Sequence, residues 1–442
     1  MPEPLREADA AIGDPAVHGG DEATVADALE ETADEVAATR PDPLTSPHRT
    51  RIVAVPLVAA LLFFFGPVAA FMLGDRADEI DNRPLASMPS AGQGWSFFEE
   101  FTTWANDHLP LRSDAVQHSA ELSEAVFDEP PPARESAAGD GVVYPRVIRG
   151  SDGWLYFGGD VSGVCNPAMP VDEVVGSLER LNAAIDASGR TLVLAIAPDK
   201  STVVPEHLPD RFAGQECAAE RKDAFWTAVT SSRLPLVDLR EPLEQAQERT
   251  GTTLYRKTDS HWTPLGAAVL VEQIVGRLDP GLLRGGPSPF VEGDDIELRG
   301  DLGAMIGRPS TDTTVEVSVQ RPGVTLTVAG QPIEPVDVPG TGSRPATVDV
   351  SSTDARLYPG RTAVLGDSFF GSARPLFAPF FDEVSIMDHQ ADPAVMAQLM
   401  VDSDTIVVEL VERSVAAGKV TLARPDAVAV IEQALAAAPP RP

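Results

Sequence analysis

An α/β layer fold is predicted by three features of this chain. Residues 191–197 (TLVLAIA) and 405–410 (TIVVEL) are short, continuous apolar runs, the pattern of strands buried on both faces of a parallel sheet. Around them, apolar residues recur at helical spacing over 171–188, 218–231, 264–278 and 425–437, and strands that alternate with amphipathic helices build layered α/β sheets. A third region, 312–352, departs from this pattern. Its TTVEVSVQ, VTLTVAG and ATVDVSS stretches alternate apolar and polar residues between Pro- and Gly-containing turns. That period of two predicts a small antiparallel β insertion, placed as a subdomain over the functional end of the sheet.

Taken in order, the chain begins with an acidic tail, residues 1–51, rich in Ala, Asp, Glu and Pro. Its few large apolar residues cannot bury enough surface to fold alone. Residues 52–73 (IVAVPLVAALLFFFGPVAAFML) follow as an uncharged apolar run, long enough at ~1.5 Å per residue to cross a bilayer as a helix. The run is too long and too far from the N-terminus for the h-region of a signal peptide. Arg40, Arg49 and Arg51 precede it, which assigns the tail to the cytoplasm and the larger C-terminal part to the outside. Residues 74–141 form a juxtamembrane segment. Phe97, Phe98, Phe101, Trp104 and Leu109 recur there at helical spacing over 95–126, and a Pro-rich linker ends it.

Residues 142–438 hold the predicted catalytic domain. It opens with a hairpin over 142–157 around Ser151-Asp152-Gly153. Pro198 ends the 191–197 strand, leaving Asp199 and Lys200 at its carboxyl edge, and 236–239 reads as a further short strand. Residues 361–365 (RTAVL) read as another, with Gly366-Asp367-Ser368 at its carboxyl end, where open α/β sheets bind ligands.

Composition excludes some functions. A formal net charge of −33 argues against nucleic acid, whose phosphates need Lys and Arg. Cys165 and Cys217 are the two cysteines, and in an exported domain an even pair reads as a disulfide. No His-x-x-x-His, Cys-x-x-Cys or carboxylate cluster of metal-ligand spacing occurs in the sequence, so a site without metal or cofactor is expected.

The chemistry lies in two short runs. Thr258-Asp259-Ser260-His261-Trp262 precedes the 264–278 helix, and Gly366-Asp367-Ser368-Phe369 lies about a hundred residues later. A serine hydroxyl alone is too weakly acidic to attack an ester. Histidine must take its proton, and a carboxylate must hold the imidazole and stabilise its charged form. Ser368, His261 and Asp259 supply those three groups. Of the seven histidines, His261 has a carboxylate two residues away, on the same face of an extended backbone. Trp262, Lys200 and Asp367 are the candidate substrate contacts. Trp154 and Tyr156 read as core residues.

With these residues assembled, residues 81–412 resemble the AlgX/AlgJ-like family of SGNH-hydrolase-fold polysaccharide O-acetyltransferases. The resemblance is carried by Asn82-Arg83-Pro84-Leu85, Asn106-Asp107-His108-Leu109-Pro110-Leu111-Arg112, Asp152-Gly153-Trp154-Leu155-Tyr156, Pro198-Asp199-Lys200, Asp259-Ser260-His261-Trp262, Arg299-Gly300-Asp301-Leu302, Gly366-Asp367-Ser368-Phe369 and Glu412-Arg413, in that order. It implies an SGNH-hydrolase-like three-layer parallel sheet, with Ser368 as nucleophile, His261 as general base and Asp259 as its orienting acid. It also implies a polysaccharide acceptor and an acetyl donor delivered by a polytopic membrane O-acyltransferase. The Ser368 amide is one expected oxyanion donor, and the Pro198–Lys200 segment is the expected source of a second. The same three groups serve a carbohydrate acetylesterase, and a non-catalytic glycan-binding scaffold is the third reading of these motifs.

Overall fold

The computed structural model describes residues 142–284 and 288–438, together with scattered positions between 65 and 108. The chain divides into two units, Met1–Asp75 and Arg76–Pro442. In the first unit the described positions 65, 66, 69 and 72 are helical, and Phe65 and Met72 are exposed. Most of the predicted membrane helix over 52–73 and most of the 95–126 helix lie outside the described residues. Among the described residues, no helix is long and apolar enough to cross a membrane. Within the 95–126 segment, Phe97, Phe101, Trp104 and His108 form a ladder of stacked rings at helical spacing.

The continuously described part of the second unit opens on the expected hairpin, β1 (Val147–Arg149) against β2 (Leu155–Phe157). Its turn puts Asp152 and Gly153 at φ 53° and 78°, the left-handed region that Gly and Asp enter most easily. Then follow α1 (Gly159–Cys165), α2 (Val171–Ala187), β3 (Thr191–Ala197), α3 (Lys200–Val203), α4 (Gln215–Thr230), β4 (Leu236–Asp238), α5 (Arg240–Thr250) and α6 (Pro264–Leu278). The next stretch holds β5 (Phe290–Gly300), α7 (Asp301–Met305), β6 (Ser310–Val319), β7 (Val324–Val328), β8 (Gln331–Ile333) and β9 (Ala346–Ser352). The chain closes with β10 (Tyr358–Gly366), α8 (Arg374–Phe377), β11 (Phe381–Asp388), α9 (Pro393–Asp402), β12 (Thr405–Val411), α10 (Glu412–Ala416) and α11 (Pro425–Ala437).

The main sheet has eight strands in the order β4-β3-β12-β10-β11-β9-β7-β8. Its first five strands are parallel neighbours. Every residue of β12 is buried, so both faces of the sheet are covered. The helices α2, α9 and α11 pack together as one layer, while α6 lies against β3, β4 and α8.

Two expectations are corrected here. The sheet is mixed rather than parallel, because β9 joins β11 antiparallel and β7 and β8 continue from it. The 312–352 region is therefore not one separate subdomain. Its later strands extend the main sheet, whereas β6 pairs with β5 in a separate ribbon. Period-two alternation reports a strand with one face against a core, and it does not say which sheet that strand joins.

Parallel register brings three carboxyl ends to one edge. Val411 of β12 pairs with Ala197 of β3, and Leu365 of β10 pairs with Val408 of β12. Asp199-Lys200, Glu412-Arg413 and Asp367-Ser368 thus leave the sheet side by side.

Candidate active site

The site is built from two loops at that edge. The first joins α5 to α6. Tyr255 and Trp262 pair across it, Thr263 N–H donates to the Leu254 carbonyl at 2.8 Å, and Arg256 N–H donates to the His261 carbonyl at 3.2 Å. Thr263 then caps α6 by accepting from the Gly266 amide, with Pro264 in the first turn. Both are residues that helix starts prefer. The second loop follows β10. There Asp367 caps a short turn over Ser368–Gly371 by accepting from the Phe369 amide at 2.8 Å.

These loops bring Asp259, His261 and Ser368 together. His261 Nε2 lies 2.8 Å from Ser368 Oγ, and its Nδ1 lies 2.8 Å from Asp259 Oδ1. With the proton on Nδ1, that nitrogen donates to the carboxylate, and Nε2 accepts from the serine hydroxyl. Asp259 and His261 are buried while Ser368 is exposed. The imidazole also leans on the Phe369 ring, with centroids 4.7 Å apart.

Asp259 is held from several sides. It accepts from the His261 amide at 2.8 Å and the Asp301 amide at 3.0 Å, and the Arg256 guanidinium lies 2.7 Å from its Oδ1. Burial opposes its ionisation, but the His261 hydrogen bond, the His261 charge and Arg256 outweigh it, and the carboxyl is held below its ordinary value. Asp301 itself takes the Ser260 amide at 2.7 Å and the Ser260 hydroxyl at 2.5 Å. This close docking needs Gly300, where a Cβ would come within 2.2 Å of Thr258 Oγ1.

Asp259, His261 and Asp301 offer ligand atoms within 4.8 Å of one another. The Arg256 guanidinium already occupies the cationic position beside Asp259.

The three candidate substrate contacts have internal partners instead. Trp262 is 1% exposed, packs edge-on against Phe369, and donates its indole N–H to the Phe369 carbonyl at 3.0 Å. Lys200, equally buried, gives its ammonium to the carbonyls of Arg256, Lys257 and Asp259 at 3.0, 3.3 and 2.6 Å. Asp367 spends one oxygen on the Phe369 amide and the other on the Val411 amide at 2.9 Å. Each is a support of the two loops. Trp154 and Tyr156 are buried as expected. The Asp199 amide, within the segment expected to supply a second oxyanion donor, is taken by Glu412 at 2.8 Å. Cys165 and Cys217 are disulfide-bonded, joining α1 to α4.

Behind the loops lies a buried charge network. Asp199 accepts from Arg413 at 2.9 Å and pairs with Lys222 at 3.4 Å, while Glu412 lies 3.6 Å from Lys222. The Arg413 guanidinium also lies over the Phe369 ring at 5.1 Å. Burial, then repulsion from Asp199, pushes Asp160 up to about 7. Burial, then the charge of Asp367, pushes Glu409 well above its ordinary value, which favours a neutral acid beside Asp367. Arg256 and Glu409 carry no sequence signal of these roles. Asp301 was visible only as part of a motif without an assigned task.

Residues 147–335 match a family model described as the SGNH hydrolase-like domain of the acetyltransferase AlgX. Over 203 residues the chain is 30% identical to the probable alginate O-acetylase AlgJ of Pseudomonas syringae pv. tomato, covering 45% of this chain and 48% of that protein. Over 161 residues it is 32% identical to the corresponding protein of Pseudomonas fluorescens, covering 36% and 40%. The chain thus spans about half the length of the first of these relatives. Among solved structures, the O-acetyltransferase domain of Pseudomonas putida AlgJ aligns at 21% identity and a TM-score of 0.41, over 61% of this chain and 92% of that one. On the family model and these relatives, the chain is AlgX/AlgJ-like over residues 147–335, with an SGNH-hydrolase-like α/β domain.

Proposed function

We propose that this protein is an extracytoplasmic O-acetyltransferase that moves acetyl groups onto hydroxyls of a cell-surface or secreted polysaccharide through an acetyl-serine. The single observation that carries the reading is the continuous 2.8 Å linkage from Asp259 through His261 to Ser368. His261 Nε2 removes the Ser368 proton as Oγ attacks the acetyl carbonyl, and Asp259 stabilises the imidazolium. The Ser368 amide, first in its turn, has no acceptor within that turn and is the donor we assign to the resulting oxyanion. Collapse expels the donor's leaving group, which takes the proton from His261. A sugar hydroxyl, deprotonated by the same imidazole, then attacks the acetyl-serine, the Ser368 Oγ–acyl bond breaks, and Oγ takes the proton back from His261.

The AlgJ relatives, named as probable alginate O-acetylases, support a polysaccharide acceptor. Residues 52–73 anchor the chain, placing the domain outside the membrane and beside a polytopic membrane O-acyltransferase that supplies acetyl groups. Anchoring raises the effective concentration of the two partners. The Cys165–Cys217 disulfide is consistent with an oxidising compartment.

The test gives the detergent-solubilised full chain a chromogenic acetyl ester, with and without oligosaccharide. Transfer predicts an acetylated sugar and loss of turnover in Ser368→Ala by more than a thousandfold. Acetate as the sole product makes the protein an esterase. Unchanged polymer acetylation in cells carrying Ser368→Ala leaves the scaffold reading.

A further inference from the structure

We propose that Lys200 is a positioning residue, whose ammonium holds the Asp259–His261 loop against the carboxyl end of β3 so that the imidazole meets Ser368. The role in turnover rests on the acyl-transfer reading above, whereas the positioning itself does not.

Three parts of the chain converge on this one side chain. Lys200 opens α3 directly after β3 and is 1% exposed. Its Nζ reaches three carbonyls of one loop, those of Arg256, Lys257 and Asp259. The rings of Trp154 and Tyr156 from the β1–β2 hairpin lie 5.6 and 5.2 Å from the same nitrogen. That hairpin is itself tied to the loop, because the Leu155 amide donates to the Lys257 carbonyl at 3.0 Å. Asp301 and Asp312, from the β5–β6 ribbon and its connection, complete the surround by holding the Ser260 and Thr258 amides at 2.7 and 2.9 Å.

A buried ammonium is an expensive way to fill space, and an apolar side chain of the same shape would fill it without the desolvation penalty. What the ammonium adds is three N–H donors at a single point. The carbonyl they grip most closely belongs to Asp259, the residue that orients His261. A neutral amine has only two N–H bonds and cannot hold all three carbonyls. The charged groups facing Lys200 are Asp301, Asp160, Asp259 and Asp312. Burial outweighs their attraction and lowers the lysine to about 8. The clamp is therefore complete at neutral pH and loosens in mildly alkaline solution, whereas a purely space-filling lysine leaves no such mark on reactivity.

The experiment measures labelling of Ser368 by a small arylsulfonyl fluoride in the full chain, as a rate against pH. The wild type is expected to label faster as the pH rises to about 8, and then more slowly. Lys200→Met is expected to label about 100-fold more slowly at pH 7, the scale of a roughly 1 Å misplacement, and to lack the alkaline decline. Lys200→Arg, charged throughout, is expected to recover part of the rate and also to lack the decline. A Lys200→Met rate within threefold of the wild type, with the same alkaline decline, overturns the proposal. Should Lys200→Met not fold, a wild-type rate that stays level from pH 7 to 10 overturns it. Should the wild type not label at all, the acyl-transfer reading fails, and the downfield proton resonance of the His261–Asp259 hydrogen bond decides the positioning. Its persistence unchanged in Lys200→Met overturns the proposal, and its loss supports it.

Discussion

At the scale of single residues, the site depends on side chains that brace the Asp259–His261 pair from behind. Arg256 shows this most directly. Its guanidinium bridges Asp259 Oδ1 at 2.7 Å and the Arg299 carbonyl at 2.9 Å, so it both holds and ionises the acid behind His261. Arg256→Gln is expected to lower kcat about tenfold, ~1.4 kcal/mol of transition-state stabilisation, with KM little changed. Steady-state kinetics on an acetyl ester check this, and a change confined to KM would assign Arg256 to binding instead. Asp259, His261 and Ser368 could be chosen from the sequence because their residue types have few other reasons to occur in those runs. Arg256 could not, since an arginine on a polar loop looks the same whether it faces solvent or a carboxylate.

At the scale of elements, local pattern was sufficient wherever one face met one core. The strand over 191–197 and the helices over 264–278 and 425–437 were legible to the residue, because their periods and end signals agree. The helix Arg240–Thr250 was not, for it buries only Leu243 and Ala246 and shows almost no apolar stripe. Two element-level contributions are measurable. Thr263→Ala removes the cap of α6 and is expected to cost about 1 kcal/mol, read as a shift in urea midpoint. The Cys165–Cys217 bridge closes a separation of 52 residues, so replacing both cysteines by serine is expected to cost ~4 kcal/mol on the chain-entropy account. Equal stability of the two forms would show that the denatured chain is already constrained there.

At the scale of the whole molecule, buried ionisable groups leave opposite marks on stability. Asp160 is raised from 3.8 to about 7. The folded state therefore holds a proton that the unfolded state releases, and stability falls as pH rises through that window. Asp160→Asn is expected to remove this fall between about pH 4 and 7 in urea titrations. Lys200 is lowered from 10.5 to about 8. Between those values the unfolded state holds the extra proton, so this group favours folding increasingly as pH rises. Labelling of Ser368 and the Lys200 contribution to stability should thus move in opposite directions above pH 8, and Lys200→Met should lose both trends. The sequence by itself determined the layered α/β class, the hydrogen-bonding set of Asp259, His261 and Ser368, and the disulfide pair. Periodicity, residue chemistry and a count of two cysteines are local properties, and they survive without coordinates. Only the tertiary structure decided that the sheet is mixed, that Trp262, Lys200 and Asp367 face inward, and that Arg256 and Asp301 brace the acid. Those outcomes depend on which strand edges pair and which loops meet at the carboxyl end of the sheet, across separations that no local pattern records.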